Sequence, residues 1–210
     1  MKLQFKENKY RGKLITFCGL DGSGKTTLIN LLSNYLKESG LDFELTKQPT
    51  KTMRKNPLFR KAIDEPFSDD VDYREISYMC AINKSQHTRL VIEPLLSQGK
   101  IVISDRYFYS SLANLEAYGF NEDEKIYSMS NEIIQPDISF FLDVPVDIAI
   151  NRIRNRESEK NRYIDTILQE KLRIIYKQIS SDNNGYIIDC SVSVDKSFDS
   201  ILERVKSVLK

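Results

Sequence analysis

Gly19-Leu20-Asp21-Gly22-Ser23-Gly24-Lys25-Thr26, with Thr27 behind it, meets the phosphate-binding pattern G-x-x-x-x-G-K-[ST] at every fixed position. Glycines at 19, 22 and 24 permit backbone conformations that side chains resist, so the loop can turn its N–H groups inward around a phosphate. A helix starting there aims its positive end at the same anion. In that arrangement Lys25 reaches the β- and γ-phosphates of a nucleotide and the Thr26 hydroxyl holds Mg²⁺. Residues 19 to 27 are thus the candidate ATP-binding set.

The flanks agree. Lys13-Leu14-Ile15-Thr16-Phe17-Cys18 is a short apolar run of strand type. Apolar residues at Leu28, Leu31, Leu32, Tyr35 and Leu36 follow helical spacing, and Gly40 stops the helix. The plainer reading is a Gly/Ser turn between two core elements. Strand, glycine loop and helix in the required order disfavour it.

Working outward, Leu41 to Thr46 alternates as a second strand and ends in the Lys47-Gln48-Pro49-Thr50 breaker. Met53 to Phe67 is basic and proline-punctuated, which predicts short helical pieces in a mobile flap. Asp72 to Leu96 reads as one long helix closed by Gly99. Ile101-Val102-Ile103-Ser104-Asp105 is a buried parallel strand with a carboxylate at its tip. Helices are predicted over Ser110 to Tyr118 and Glu122 to Ile134, then a strand from Pro136 to Val144. Pro145 opens a helix through about Ile153. A helix over Thr166 to Ser180, a strand over Gly185 to Cys190 and a helix over Ser197 to Lys210 complete the chain. Met1 to Gly12 reads as a polar, basic extension.

This alternation predicts an α/β protein: a three-layer α/β/α P-loop fold with an open, mostly parallel sheet and an Arg-rich lid. At 210 residues it is most simply one domain, 1–210, with the lid at about 152–165.

Charge is balanced, with 31 Lys+Arg against 30 Asp+Glu, and gives no pull toward nucleic acid or membrane. No apolar run approaches the roughly 18 residues of a membrane span, and no signal-peptide core precedes the first strand. Cys18, Cys80 and Cys190 lack metal-ligand spacing and read as reduced, buried residues of a cytoplasmic protein. A single histidine, His87, excludes a histidine-rich metal site.

Phosphoryl transfer needs alignment, Mg²⁺ and positive charge around the moving group more than covalent help. Lys25 and Thr26 serve the donor. Asp105 suits a Mg²⁺-positioning role, against the plainer reading of a helix cap or turn residue. Arg152, Arg154, Arg156 and Arg162 fall within a polar stretch of eleven residues. Most such runs are solvated helix faces; this one suits a lid whose planar guanidinium forks grip donor phosphates and exclude water.

The chain resembles the thymidylate kinase family of P-loop nucleoside monophosphate kinases from Lys13 to its C-terminus. The resemblance rests on Phe17 to Thr27, Lys47-Gln48-Pro49, Ala81 to His87, Asp105-Arg106-Tyr107 with Ser110-Ser111, Pro136-Asp137, Leu142-Asp143-Val144 and the Arg-rich stretch through Arg162. It implies ATP with Mg²⁺ as donor, dTMP as acceptor, dTDP and ADP as products, and a homodimer. By position, Asp21, Lys47, Pro49, Cys80, Lys84, Arg106, Tyr107, Ser110, Ser111 and Asn114 would meet the acceptor. Thr26, Asp21 and Asp105 would serve the metal, and Lys25, Asp105, Arg106, Arg154, Arg156 and Arg162 the transfer. Gly22 occupies a loop position where one branch of the family carries a basic residue, which assigns the catalytic arginine to the lid.

Departures concentrate at the acceptor base. Cys18 replaces a glutamate, Cys80 a stacking phenylalanine, Lys84 an arginine, Asn114-Leu115 a Tyr-Gln pair, and Thr50 a glycine. Tyr78, Tyr107 and Tyr109 are candidate replacements for the lost ring. Two other readings therefore stand beside dTMP phosphorylation. One is the same chemistry on another nucleotide, nucleoside or small phosphorylated acceptor. The other is a nucleotide-dependent switch, which the absence of a guanine-reading Asn/Thr-Lys-x-Asp segment disfavours.

Overall fold

β1 (Lys13–Gly19) carries six successive buried positions and sits at the centre of the sheet. The computed structural model describes residues 2–64 and 70–209. Five parallel strands run in the order β2-β3-β1-β4-β5, with β2 at Phe43–Lys47, β3 at Ile101–Asp105, β4 at Ile138–Asp143 and β5 at Tyr186–Asp189. Phe17 of β1 is level with Asp105 on one side and Phe140 on the other. All five carboxyl ends therefore finish together, which is where an open parallel sheet places its ligands.

Side chains alternate across the sheet. Leu14, Cys18, Val102 and Phe141 belong to one core; Ile15, Phe17, Ile103 and Phe140 belong to the other. The second core is covered by α1 (Lys25–Glu38) through Leu28, Leu32 and Leu36, and by α10 (Val194–Val208) through Ile201 and Val205. α10 starts before the predicted Ser197 because Ser193 caps it, accepting from the Lys196 N–H. The first core is covered by α4 (Tyr73–His87), α6 (Tyr109–Ala117) and α9 (Thr166–Asp182). α8 (Val146–Arg154) follows Pro145 at its cap and leads into the arginine-rich stretch expected to form a lid.

The predicted flap is α2 (Lys51–Arg54) and α3 (Pro57–Asp64); its expected end at Phe67 lies outside the described residues. Thr50 caps α2, and its N–H and hydroxyl bond the Asn83 amide, which ties the flap to α4.

Three expectations need correction. The single helix over 72–96 is α4, a wide π turn at Thr88–Ile92, and α5 (Glu93–Ser97). Pro94 has no N–H to continue an α pattern, and the turn widens so that the Glu93 N–H bonds the Thr88 carbonyl. The helix over 122–134 shortens to α7 (Glu124–Ser130), capped by Asp123. Its predicted last turn bridges to the N-terminal segment, with the Lys6 N–H on the Ile133 carbonyl at 2.8 Å.

That segment is the third correction. It is packed, not a bare extension: Leu3 is buried, and the Phe5 ring lies 5.3 to 6.3 Å from those of Tyr107, Phe108 and Tyr109. Among the described residues Leu3, Phe5 and Tyr10 make the contact, too few and too unevenly spaced for a periodic signal. Phe5→Ala should lower stability by about 2–4 kcal/mol through the lost ring and the cavity left behind. A thermal melt within a degree of wild type would show the segment to be dispensable.

Candidate active site

The loop after β1 is shaped by α8. A Cβ at Gly22 would stand 2.3 Å from the Ala149 carbonyl oxygen, so no larger residue fits with α8 in place. Gly24 precedes α1 at φ 96°, the left-handed region that glycine enters freely. This gives the missing basic residue at position 22 a steric cause.

Lys25 is buried, and its ammonium donates to the carbonyls of Gly19 at 3.1 Å and Leu20 at 2.7 Å. Burial, reinforced by the nearby Arg106 cation, pushes it down to about 7, against the pull of Asp21 and Asp105. Thr26 and Thr27 are exposed at the first turn of α1.

β3 delivers Asp105 and Arg106. Asp105 pairs with Lys47 at 2.7 Å through one oxygen, and its other oxygen, Oδ1, has no partner among the described residues. Arg106 is held at φ 70°, uncommon for a residue with a side chain. Its N–H crosses to the Phe17 carbonyl at 2.8 Å, and its guanidinium donates to the Gly19 carbonyl, to the Tyr176 hydroxyl of α9 and to Asp21 Oδ1. Asp21 Oδ2 accepts from Arg162 at 2.8 Å. Burial alone would raise the Asp21 carboxyl; Arg106, Lys25 and Arg162 together hold it well below the usual carboxylate range.

The four arginines of the expected lid divide by geometry. Arg152 donates to the Cys190 carbonyl at 2.9 Å and reaches the Gly22 carbonyl at 3.5 Å. Arg154, expected to be catalytic, braces the lid internally on the carbonyls of Lys160 and Arg162 at 2.5 and 2.6 Å. Arg156 pairs with Glu159 and lines a cleft, and Arg162 reaches the phosphate loop. The cleft holds about 260 Å³ between Gly22, Gly24, Thr27, Arg152, Cys190 and Val194.

On the other side of Arg106, Lys84 is fully buried and donates to the Ser111 hydroxyl at 2.5 Å. Cys80 is buried one turn before it. Pro49 is half-buried, its carbonyl taking the Arg54 guanidinium at 2.8 Å, and Asn114 donates to the Ser110 carbonyl. The tyrosines are a correction. Tyr107, expected at the acceptor, is fully buried with its hydroxyl on the Ile134 carbonyl, and Tyr109 is buried beside it against Phe5 and Phe141. Tyr78 donates to Asp123. What sequence reasoning missed is the half-buried Tyr73–Tyr118 ring pair, stacked at 3.9 Å between α4 and α6, and the Tyr176 hydroxyl under Arg106. Tyr73 falls on the same helical stripe as Cys80 and Lys84, a signal in reach; nothing in the sequence marks Tyr176.

The donor set fits Mg²⁺ in part. An exposed Thr26 hydroxyl and the unpaired Asp105 oxygen are hard ligands of the right type. Asp21 does not suit direct coordination, since both its oxygens already carry guanidinia. No group of three or more His, Cys, Asp or Glu residues able to hold a metal occurs among the described residues.

A phosphate loop, a cleft on its α8–α10 side and an arginine at the tip of β3 on the other define a P-loop nucleotide phosphotransferase. The chain matches the thymidylate kinase family model over residues 17–201. It is 34% identical to the probable thymidylate kinase of Pyrococcus abyssi over 95% of this chain and 98% of that protein. The thymidylate kinases of Prochlorococcus marinus and Desulfotalea psychrophila are 32% and 33% identical, each over 95% of this chain and at least 96% of their own. The chain belongs to the thymidylate kinase family.

Lys84 yields a pH prediction. Burial pushes its ammonium down to about 8 from an ordinary 10.5, with Arg106 adding to the effect and Cys80 opposing it. Between those values the unfolded chain binds more protons, so stability rises with pH there and the full penalty, up to about 3 kcal/mol, is felt below pH 8. Lys84→Met should therefore raise the melting temperature at pH 7 by several degrees, with the gain shrinking as pH rises toward 10. An unchanged or pH-independent difference would contradict the burial cost.

Proposed function

We propose that the chain transfers the γ-phosphoryl group of ATP to the 5′-phosphate of dTMP, giving ADP and dTDP. An oxygen of the acceptor phosphate forms the new bond to the γ-phosphorus as the bond to the β,γ-bridging oxygen breaks. A phosphate monoester is largely dianionic at neutral pH, so no base has to remove a proton. Cations, and not a general base, are what the reaction needs. The observation that carries the reading is the convergence of Lys25, Arg106 and Arg162 about the phosphate loop, two of them on Asp21.

ATP takes the cleft on the α8–α10 side, where Arg152 and Arg156 flank the phosphate loop. Lys25 exchanges two neutral carbonyl acceptors for phosphate oxygens. Thr26 and Asp105 would hold Mg²⁺, which neutralises charge across the β- and γ-phosphates. Arg106, already anchored on Gly19 and Tyr176, holds the acceptor phosphate. Lys47 stands beside it and keeps Asp105 in place. Arg162 closes the lid side and excludes water, favouring the acceptor over hydrolysis.

The acceptor base meets Lys84, Ser111 and Asn114, with Cys80 where a ring would stack. Ring stacking on a base is worth about 1–3 kcal/mol in nucleic-acid binders. Because these residues differ from the usual family set, the acceptor is tested directly. ADP release with ATP and Mg²⁺ should be fastest with dTMP across a panel of nucleoside monophosphates, nucleosides and a no-acceptor control. Lys25→Ala should abolish turnover with the fold retained, and Arg106→Ala should raise the acceptor KM far more than the ATP KM. Release that needs no acceptor would sink the kinase reading.

The homodimer belongs to the same reading. Ile82 and Leu90 are 58% and 56% exposed along α4 and its π turn, with Val91 beside them, which favours burial against a second copy. Leu90→Glu should shift the light-scattering mass from dimer to monomer, and a monomeric wild type would refute the pairing. Among the described residues no helix is long and apolar enough to cross a membrane. A cytoplasmic enzyme with nucleotide substrates and no nucleic-acid partner is consistent with the balanced charge.

A further inference from the structure

Three cationic groups crowd the phosphate loop: Lys25, Arg106 from the tip of β3 and Arg162 from the lid. Asp21 is the carboxylate bonded to two of them, and Asp105 adds a longer-range pull on Lys25 and Arg106. Asp21 gives Oδ1 to Arg106 and Oδ2 to Arg162, and the Arg162 contact is the ion pair that joins the arginine-rich stretch to the loop, beside a longer bond from Arg152 to the Gly22 carbonyl at 3.5 Å. Among the described residues Arg162 has one other charged contact, Glu159 at 3.5 Å, which lies within the same arginine-rich stretch and cannot anchor it to the loop. Arg106 is braced by the Gly19 carbonyl and the Tyr176 hydroxyl, both neutral. Removing the Asp21 charge would leave two guanidinia facing each other and the Lys25 ammonium across a partly shielded site, where like charges repel far more strongly than in bulk water.

We propose that Asp21 is a positioning residue that couples the two substrate sites. By holding the acceptor-side arginine and the lid arginine on opposite oxygens of one carboxylate, it makes lid closure and acceptor grip a single arrangement. Each guanidinium keeps further N–H groups for a phosphate while its place is set by Asp21. Binding at either site then favours the arrangement that the other needs, a reciprocal coupling of donor and acceptor affinity. The coupling rests on the phosphotransferase reading above; the lid contact does not.

The test has two arms. The first needs no substrate: Lys160 and Arg156 lie in the lid and are trypsin sites. In the nucleotide-free enzyme Asp21→Asn should speed cleavage there at least five-fold, with the melting temperature within a few degrees of wild type. Arg162→Gln should speed cleavage after Lys160 equally, and the double variant should add nothing further. Equal cleavage of wild type and Asp21→Asn, or fully additive effects, would overturn the tether.

The second arm titrates dTMP with and without a non-hydrolysable ATP analogue. Wild type should bind dTMP at least ten-fold tighter with the analogue present, and Asp21→Asn should lose that gain to within two-fold. A gain that survives in Asp21→Asn would overturn the coupling. If wild type fails to phosphorylate dTMP at all, the substrate assignment fails and the tryptic result still decides the tether. Should Asp21→Asn not fold, Arg162→Gln carries both arms.

Discussion

The site depends on β1 being paired in parallel on both sides, by β3 and by β4. That register brings Gly19, Asp105 and Asp143 to one edge of the sheet within a residue or two of each other. The phosphate loop leaves β1 at that edge, and the Arg106 N–H crosses back to the Phe17 carbonyl. Shift the pairing by one residue and every inward side chain changes face, taking the acidic and basic tips with it. The alternation of Ile15 and Phe17 with Leu14 and Cys18 prevents such a slip, because both faces are filled.

Once the strand ends are aligned, the problem they create is electrostatic. Lys25, Arg106 and Lys84 are buried or nearly so, in a chain whose overall charge is close to neutral. Lone buried cations are costly, and the structure answers each in its own way. Lys25 leans on backbone carbonyls, Arg106 on a carboxylate, a carbonyl and a phenol, and Lys84 on one hydroxyl. The carbonyls and the hydroxyl are weak partners for full charges, whereas the Asp21 carboxylate on Arg106 is a strong one. Stability given up at such a site is usual where binding strength is gained. Away from the loop, Asp143 is also well paired: it takes Arg173 through two bonds and Lys177 through one, fastening α9 to the end of β4.

Local pattern carried most of the fold. Each strand core was legible from its apolar run, and the loop from its glycines, because hydrophobic period and turn chemistry act within a few residues. The edge strands β2 and β5 were also readable, through their alternation and their closing turns. What misled was local signal overridden at a distance. Leu3 and Phe5 look like stray apolar residues until the aromatic cluster of α6 gives them a surface. Pro94 looks tolerable in a helix until the continuous hydrogen-bond pattern must pass it.

The site was legible in type and not in partnership. Residue identity and spacing marked the phosphate loop, the Asp105-Arg106 pair after β3 and the arginine-rich stretch expected as a lid, because phosphate binding needs those groups at fixed intervals. Only the tertiary structure decided that Arg154 bonds the carbonyls of Lys160 and Arg162, that Arg162 meets Asp21, and that Tyr107 is buried in the core with its hydroxyl on the Ile134 carbonyl. Asp21 and Arg162 lie 141 residues apart, and the contact exists because α8 and α9 return the lid to the loop. Sequence sets which charges a chain owns; folding sets which of them must share one carboxylate.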